Sequence, residues 1–470
     1  MNPDATTPHV ENNPGQKPLI GLAKIMRLIF SGVDLAPLGT QLVARAEMGS
    51  GMADANAFMD LFTVLLLRGD RGLALDMQAQ ALELQQIYSP PTAPGQAAIR
   101  VLALMAPGDL MVNSPLELLL ENSDVALDLL YVSPRLSLPH ALPEHDVLFV
   151  AIGESDENIP MLQELDNAVK SWPRPVLNMP GRIALLSRDS ACALLKSATG
   201  VVMPDTARVS RQALEQIGRE ELAVAAALAD GTFPLIVRPV DSHAGQGLRK
   251  LDRPADVADY LAGMTDKQQS VIPASLSPSL MEPLAIRLSP QAGKSLVIPQ
   301  GGRETGARDA SPMFDAMAQG EFYISRFVDY RGEDGLFRKY RIVLIEGRPF
   351  VCHMAISSHW MIHYLNAGMA ESAEKRAEEE RCMENFDEDF ARRHAAAFRA
   401  IHERLGLAYF GIDCGETADG SLLIFEVDSN MVVHALDPVD VFPYKQPQMR
   451  KVFAAFREML LGAMKRGLKL

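Results

Sequence analysis

Cysteine is scarce: Cys192, Cys352, Cys382 and Cys414 are the only four in 470 residues. They are scattered, with no CxxC spacing, which excludes a disulfide framework and a cysteine zinc site and fits a reduced, cytoplasmic protein. Positive charge is also short. With 45 Lys and Arg against 59 Asp and Glu, the net charge is −14, and a nucleic-acid or anionic-membrane partner would need a basic face. No apolar run approaches the roughly 18–20 residues that span a bilayer. The opening MNPDATTPHVENNPGQKP lacks the apolar core of a signal peptide, so residues 1–18 read as a disordered arm. There is no GxSxG elbow, Cys/His nucleophile constellation, Walker A loop or Rossmann fingerprint, so covalent hydrolase chemistry and those two nucleotide folds are not expected.

What is present is a 48% hydrophobic chain long enough for two to four domains. Residues 19–90 carry apolar positions at three- and four-residue spacing and read as helices. LLLRGDRGLALDMQAQALEL resembles one tetratricopeptide-like hairpin, without a second clear copy. These helices could form a dimer face, dock a protein partner or cap the next layer. After the linker SPPTAPG, residues 96–180 alternate β-rich runs (AIRVLALMA, VALDLLYV, DVLFVAIG, PRPVLNMP) with helical patterns, the signature of a parallel α/β layer. Residues 181–470 hold nearly all the chemically suggestive side chains. The stretch at about 265–320, rich in Ser, Pro, Gln, Ala and Gly, interrupts them as a lid, insertion or disordered segment. ESAEKRAEEERCMENFDEDFARR reads as a solvated helix.

The most informative stretch is YFGIDCGETADGSLLIFEVDSN, residues 409–430. Two strand-like runs joined by Ala-Asp-Gly read as a β-hairpin. Glu426 and Asp428, two apart, share a strand face, and the hairpin can bring Asp413 beside them. Three clustered carboxylates repel one another unless a cation joins them, and oxygen-only ligands suit Mg²⁺ or Mn²⁺. The alternative is three solvated carboxylates at a sheet edge. Upstream, FPLIVRPVDSHAGQGLRKL places Arg238 at the end of a buried strand, followed by a loop with Gly245 and Gly247. A cation there can neutralise phosphate oxygens while the glycines let backbone N–H groups approach them. EFYISRFVDYRGEDG offers an extended run whose backbone can pair with a purine edge. KYRIVLIEGRPFVCHMAISSHWMIHY reads as two strands around a Glu-Gly turn, with Arg341 inside the first.

Taken in order, these motifs resemble the ATP-grasp superfamily, in its ribosomal-protein-modifying glutamate ligase, glutathione synthetase and D-alanine–D-alanine ligase branch. The likeness covers roughly residues 146–459 apart from the interruption. It implies an α/β and α+β fold: an α/β pre-grasp domain and an ATP-grasp domain that clasps ATP between antiparallel sheets, here behind an N-terminal all-α region. It further implies that Arg238 takes the place of the phosphate-binding lysine, and that Asp241, Ser242, His243, Gly245 and Gly247 form the phosphate-covering loop. Ser325, Arg326, Phe327 and Val328 become the adenine hinge, and Asp329, Glu333 or Asp334 the ribose acid. Arg341 becomes the γ-phosphate arginine, and Asp413, Glu426 and Asp428 the metal ligands.

Two departures stand out. Ser190 occupies the place of a usual lysine, which Arg188 could replace, and Asp428 stands where relatives carry Asn. The implied activity is ATP-dependent carboxylate–amine ligation through an acyl phosphate, on an amino acid, peptide or related small molecule. The rivals are a small-molecule kinase on the same scaffold and a nucleotide-binding scaffold protein. His353, Ser357, His359, Trp360, His363 and Asn430 are the positions expected to meet the acceptor, with packing of a subdomain core the alternative for Trp360 and His363.

Overall fold

In the computed structural model the described residues are 17–47, 53–93, 97–229, 231–242, 245–266 and 320–468. The expected arm, most of the 265–320 interruption and His243 lie outside them.

Four helices open the described chain: Leu22–Phe30, Ala36–Glu47, Ala55–Leu67 and Arg71–Leu84. Asp54 and Asp70 start the last two by accepting the N–H groups of Ala57 and Leu73, as N-capping carboxylates do. Their apolar faces share one core with Val101 and Ala103 of the next layer and with Phe456 of the C-terminal helix Lys445–Gly467. The helical region therefore caps one face of that layer.

The layer is a five-stranded sheet of β1 (Ile87–Tyr88), β2 (Ile99–Met105), β3 (Val125–Tyr131), β4 (Val147–Val150) and β5 (Val176–Leu177), in the order β1-β3-β2-β4-β5. All pairings are parallel except that of β1 with β3. Both faces are covered, which is why β2 and β4 read as unbroken apolar runs rather than alternating ones.

Two largely antiparallel sheets follow. The first holds β7 (Thr206–Ser210), β10 (Glu321–Arg326), β8 (Leu235–Pro239) and β9 (Arg249–Leu251) in that order. Its own core is built with Leu214, Ile217, Val257 and Tyr260 of two covering helices. The second runs β12 (Arg348–Ser357), β11 (Phe337–Ile345), β13 (Tyr409–Glu416), β14 (Leu422–Asp428) and β6 (Val201–Val202). Glu346 and Gly347, both at positive φ, make the tight turn between β11 and β12.

The second sheet is bound closely to the α/β layer. Asn178 donates to the Tyr409 carbonyl at 2.7 Å and accepts from the Ala408 and Tyr409 N–H groups, and Ser114 donates to the Ser429 carbonyl at 2.6 Å. The helix Ala373–Glu384 corrects one expectation. Most of it is exposed or half-buried, but Glu379 is fully buried, accepting from the Met354 N–H and from the hydroxyls of Tyr364 and Tyr444. Among the described residues no helix is long and apolar enough to cross a membrane.

Candidate functional site

The two antiparallel sheets face each other across a cleft. One wall comes from Thr206, Ile236, Arg238 and Tyr323 to Val328, the other from Lys339, Asp413 and Leu423 to Val427. The cleft is lined both by apolar side chains, among them Met203, Ile236, Leu248, Phe327, Trp360, Ile424 and Phe425, and by the polar Arg188, Arg238, Lys339, His363, Asp413 and Glu426.

Strand geometry explains the polar part. Asp413 lies opposite Glu426 in the β13–β14 ladder and opposite Arg341 in the β11–β13 ladder, so all three side chains leave the same face. A bulge between Asp413 and Cys414, and another between Arg341 and Ile342, bend the sheet at this point. Arg341 donates to both carboxylate oxygens of Asp413, at 2.9 and 3.1 Å, and Lys339 donates to Oδ2 at 2.8 Å. Burial alone would raise the Asp413 carboxyl, but Arg341 and Lys339 hold it well below the usual carboxylate range. Arg188, at the start of the helix Arg188–Leu195, donates to Glu426 and to the Phe425 carbonyl. Asp428 accepts the Asn430 N–H at 3.0 Å, while burial and then Glu426 push its carboxyl up to about 7.

The glycine loop closes the same space from the other sheet. Arg238 is buried and donates to the Ser242 hydroxyl at 3.0 Å, and also to the Ser242 carbonyl. Burial and the neighbouring Arg188 lower the Arg238 guanidinium to about 9. Asp241 stands at positive φ and accepts the Asp156 N–H of the α/β layer at 3.2 Å. Gly245 also has positive φ, and a Cβ there would sit 2.3 Å from His363 Nε2. Only glycine lets the backbone come that close.

The other expected positions separate into groups. Ser325 and Arg326 lie within the β10 ladder, the Phe327 N–H donates to the Pro234 carbonyl at 3.0 Å, and Val328 follows along the cleft wall. Trp360 packs edge-on against Phe327, 5.7 Å between ring centroids, and its carbonyl accepts from Tyr330. It therefore lies with the hinge residues. Asp334 is engaged by Arg338, Asp329 accepts the Arg331 N–H in a turn, and Glu333 is exposed. Ser357 accepts the His359 N–H in an exposed turn. His353 is the cross-strand neighbour of Arg341, its Nδ1 buried without a hydrogen-bond partner. Asn430 lies in the seam with the α/β layer, donating to the Met111 carbonyl and pressed against Gly153. Lys339 was not singled out from sequence, although its two-residue spacing from Arg341 places both on one strand face.

Among the described residues no group of three His, Cys, Asp or Glu side chains is arranged to hold a metal ion by itself. The hard oxygens of Glu426 and Asp428, the latter's carboxyl raised by burial and then by Glu426, suit a divalent cation such as Mg²⁺ or Mn²⁺. Asp413 already has cations on both of its oxygens.

No family model and no curated protein matches the chain in sequence. Solved structures do resemble it in shape. A D-alanine–D-alanine ligase from Bacillus anthracis complexed with ATP is 13% identical, with a TM-score of 0.41 over 78% of this chain and 99% of that one. The VanG D-Ala:D-Ser ligase from Enterococcus faecalis is 13% identical, with a TM-score of 0.40 over 78% and 99%. A RimK-domain ATP-grasp protein from Sphaerobacter thermophilus is 15% identical, with a TM-score of 0.36 over 77% and 99%. At these identities the reading of the site rests on its own geometry.

Proposed function

We propose that the protein is an ATP-dependent carboxylate–amine ligase acting on a small molecule such as an amino acid or peptide. The observation that carries this reading is the mixed lining of the cleft. Apolar side chains beside an extended backbone run suit a purine, and three cations, Arg188, Arg238 and Lys339, line the same cleft, with Arg341 bonded to Asp413 in its wall. Phosphoryl transfer demands positioning and charge neutralisation more than a nucleophilic side chain. A divalent cation on Glu426 and Asp428 would supply further neutralisation of the phosphate oxygens.

In this reading the apolar walls formed by Ile236, Phe327 and Trp360 hold the base. Arg188, standing in for the lysine absent at Ser190, and Arg238 draw the inner phosphates into line. Arg341 faces the terminal phosphate. A substrate carboxylate oxygen bonds to the terminal phosphorus as the bond to the ADP oxygen breaks. An amine nitrogen then attacks the acyl carbon, phosphate leaves with the bonding pair, and the nitrogen gives up a proton to solvent or to a nearby base. Acyl phosphates hydrolyse readily, so the site must exclude water. In this reading the loop that carries Asp241, Ser242, Gly245 and Gly247 closes over it. On the same reading His363, which lines the cleft, meets the reacting carboxylate, while His353 stands beside Arg341 with its Nδ1 buried.

The test is incubation of the full chain with ATP, Mg²⁺, pooled amino acids and hydroxylamine. ADP together with amino-acid hydroxamates is the expected product. ADP with a stable phosphorylated compound and no hydroxamate would replace the ligase with a kinase.

A further inference from the structure

Lys339 gives this cleft a feature that the motif order does not contain. It precedes Arg341 by two residues on β11, so both side chains leave one face of the strand. Together they place three donors on the two oxygens of Asp413, at 2.8, 2.9 and 3.1 Å, and leave the Asp413 side chain 4% exposed. A carboxylate has about four lone-pair sites, so little capacity remains there for a metal. The neighbouring Glu426 is engaged by Arg188, but its side chain is 29% exposed and lines the cleft, and Asp428 stands two residues further along the same strand face. Lys339 also lines the cleft, on the same wall as Asp413 and Glu426.

Resting on the nucleotide reading above, we propose that Lys339 is a built-in second cation of the site. The Lys339 ammonium, fixed on Asp413, contacts the terminal phosphate alongside Arg341, and one divalent cation is held by Glu426 and Asp428 without Asp413. Asp413 is then a positioning residue for the Lys339–Arg341 pair. The physical basis is that sites for phosphoryl transfer often bracket the moving group between two metal ions. An ammonium is a compact point charge with three donors, and fixed beside Asp413 it can do the same work as one of those ions.

The experiment counts Mn²⁺ by electron paramagnetic resonance on the full chain saturated with the β,γ-imido analogue of ATP, with analogue affinity followed separately by equilibrium dialysis. A single Mn²⁺ per complex is expected for the wild type, where a two-ion site would give a pair. Lys339→Met should weaken the analogue by at least about tenfold, the scale of losing one partner of a buried charge pair. Asp413→Asn should keep its Mn²⁺ affinity within about threefold, while Glu426→Gln loses it by about tenfold or more. Two Mn²⁺ in the wild type, or an Asp413→Asn loss matching that of Glu426→Gln, overturns the proposal. So does a Lys339→Met chain that melts early yet binds the analogue normally, because that marks Lys339 as a structural counter-ion. If Asp413→Asn does not fold, the wild-type count and Lys339→Met still decide. An analogue that fails to bind wild type at all refutes the nucleotide reading itself, and this inference with it.

Discussion

Two clusters of buried charge flank the His353 ring, and they are built on opposite plans. On the Tyr364 side, 4.6 Å away between ring centroids, Glu379 accepts from one backbone N–H and two tyrosine hydroxyls. Lys445 stands 3.8 Å from Glu379 and 3.4 Å from Asp437, its ammonium over the Tyr364 ring. Each of these charges is met by a neighbouring group. On the Arg341 side, Arg341 and Lys339 meet Asp413 and Arg188 meets Glu426 at the cleft wall, and burial and then Glu426 push the Asp428 carboxyl up. Buried charge whose hydrogen-bonding capacity is filled by the protein holds a fold together. Charge that converges on a cavity with capacity to spare is available to a ligand.

If that division is right, substitutions on the two sides should separate activity from stability. The largest effect belongs to Glu426→Gln, which should lower turnover by about 10³-fold or more, the scale of losing a group that stabilises transition-state charge. The melting temperature should hardly move. ADP release and a thermal scan on the same preparation check both halves, and a large drop in melting temperature would place Glu426 among the structural charges. Next comes Glu379→Gln, which leaves Lys445 with a weakened partner and should cost about 3 kcal/mol of stability in urea titration. Nucleotide binding by the folded fraction should be unchanged.

The smallest effect sharpens the comparison with a third carboxylate. Asp60 is fully buried and accepts the Ile20 and Gly21 N–H groups, but its nearest cation, Arg45, is 3.9 Å away. Burial raises its carboxyl to about 6 despite those N–H donors. The folded state therefore binds this proton more tightly than the unfolded chain. Its contribution to stability is fully present below about pH 4 and is lost as pH rises through about 6. Melting curves of wild type and Asp60→Asn across pH 4 to 7 should differ in slope over that window, and parallel curves would show that Asp60 does not titrate there.

Sequence pattern carried the hairpin, Arg341 and the glycine loop because each has a local signature. The period-two alternation sets the face of Glu426 and Asp428, and the Asp-Gly turn sets their register with Asp413. Arg238 stands at the end of an apolar run. Lys339 has the same alternation relative to Arg341, and reading that strand face to its end would have found it. Glu379 had no such signal: one buried acid among the exposed charges of Ala373–Glu384 is fixed by Tyr364, Tyr444 and Lys445, all distant in sequence. Trp360 and His363 were expected with the acceptor or in a core. Trp360 packs against the core of the second sheet and on Phe327, and His363 lies under Gly245, contacts made across the sheets that no local spacing encodes. The two-residue strands β1, β5 and β6 are too short to leave a period.

The Asn178 and Ser114 bonds to the second antiparallel sheet have a mechanical consequence. They fasten that sheet to the α/β layer as one workbench, and the C-terminal helix runs beneath both. The first antiparallel sheet keeps a small core of its own and meets the bench through exposed groups, with Arg208 reaching Asp156, and through the Asp156–Asp241 bond. Arg238 and the glycine loop belong to that sheet, and Arg341, Asp413 and Glu426 to the bench, so the seating of one on the other sets the distance between the two halves of the charge array.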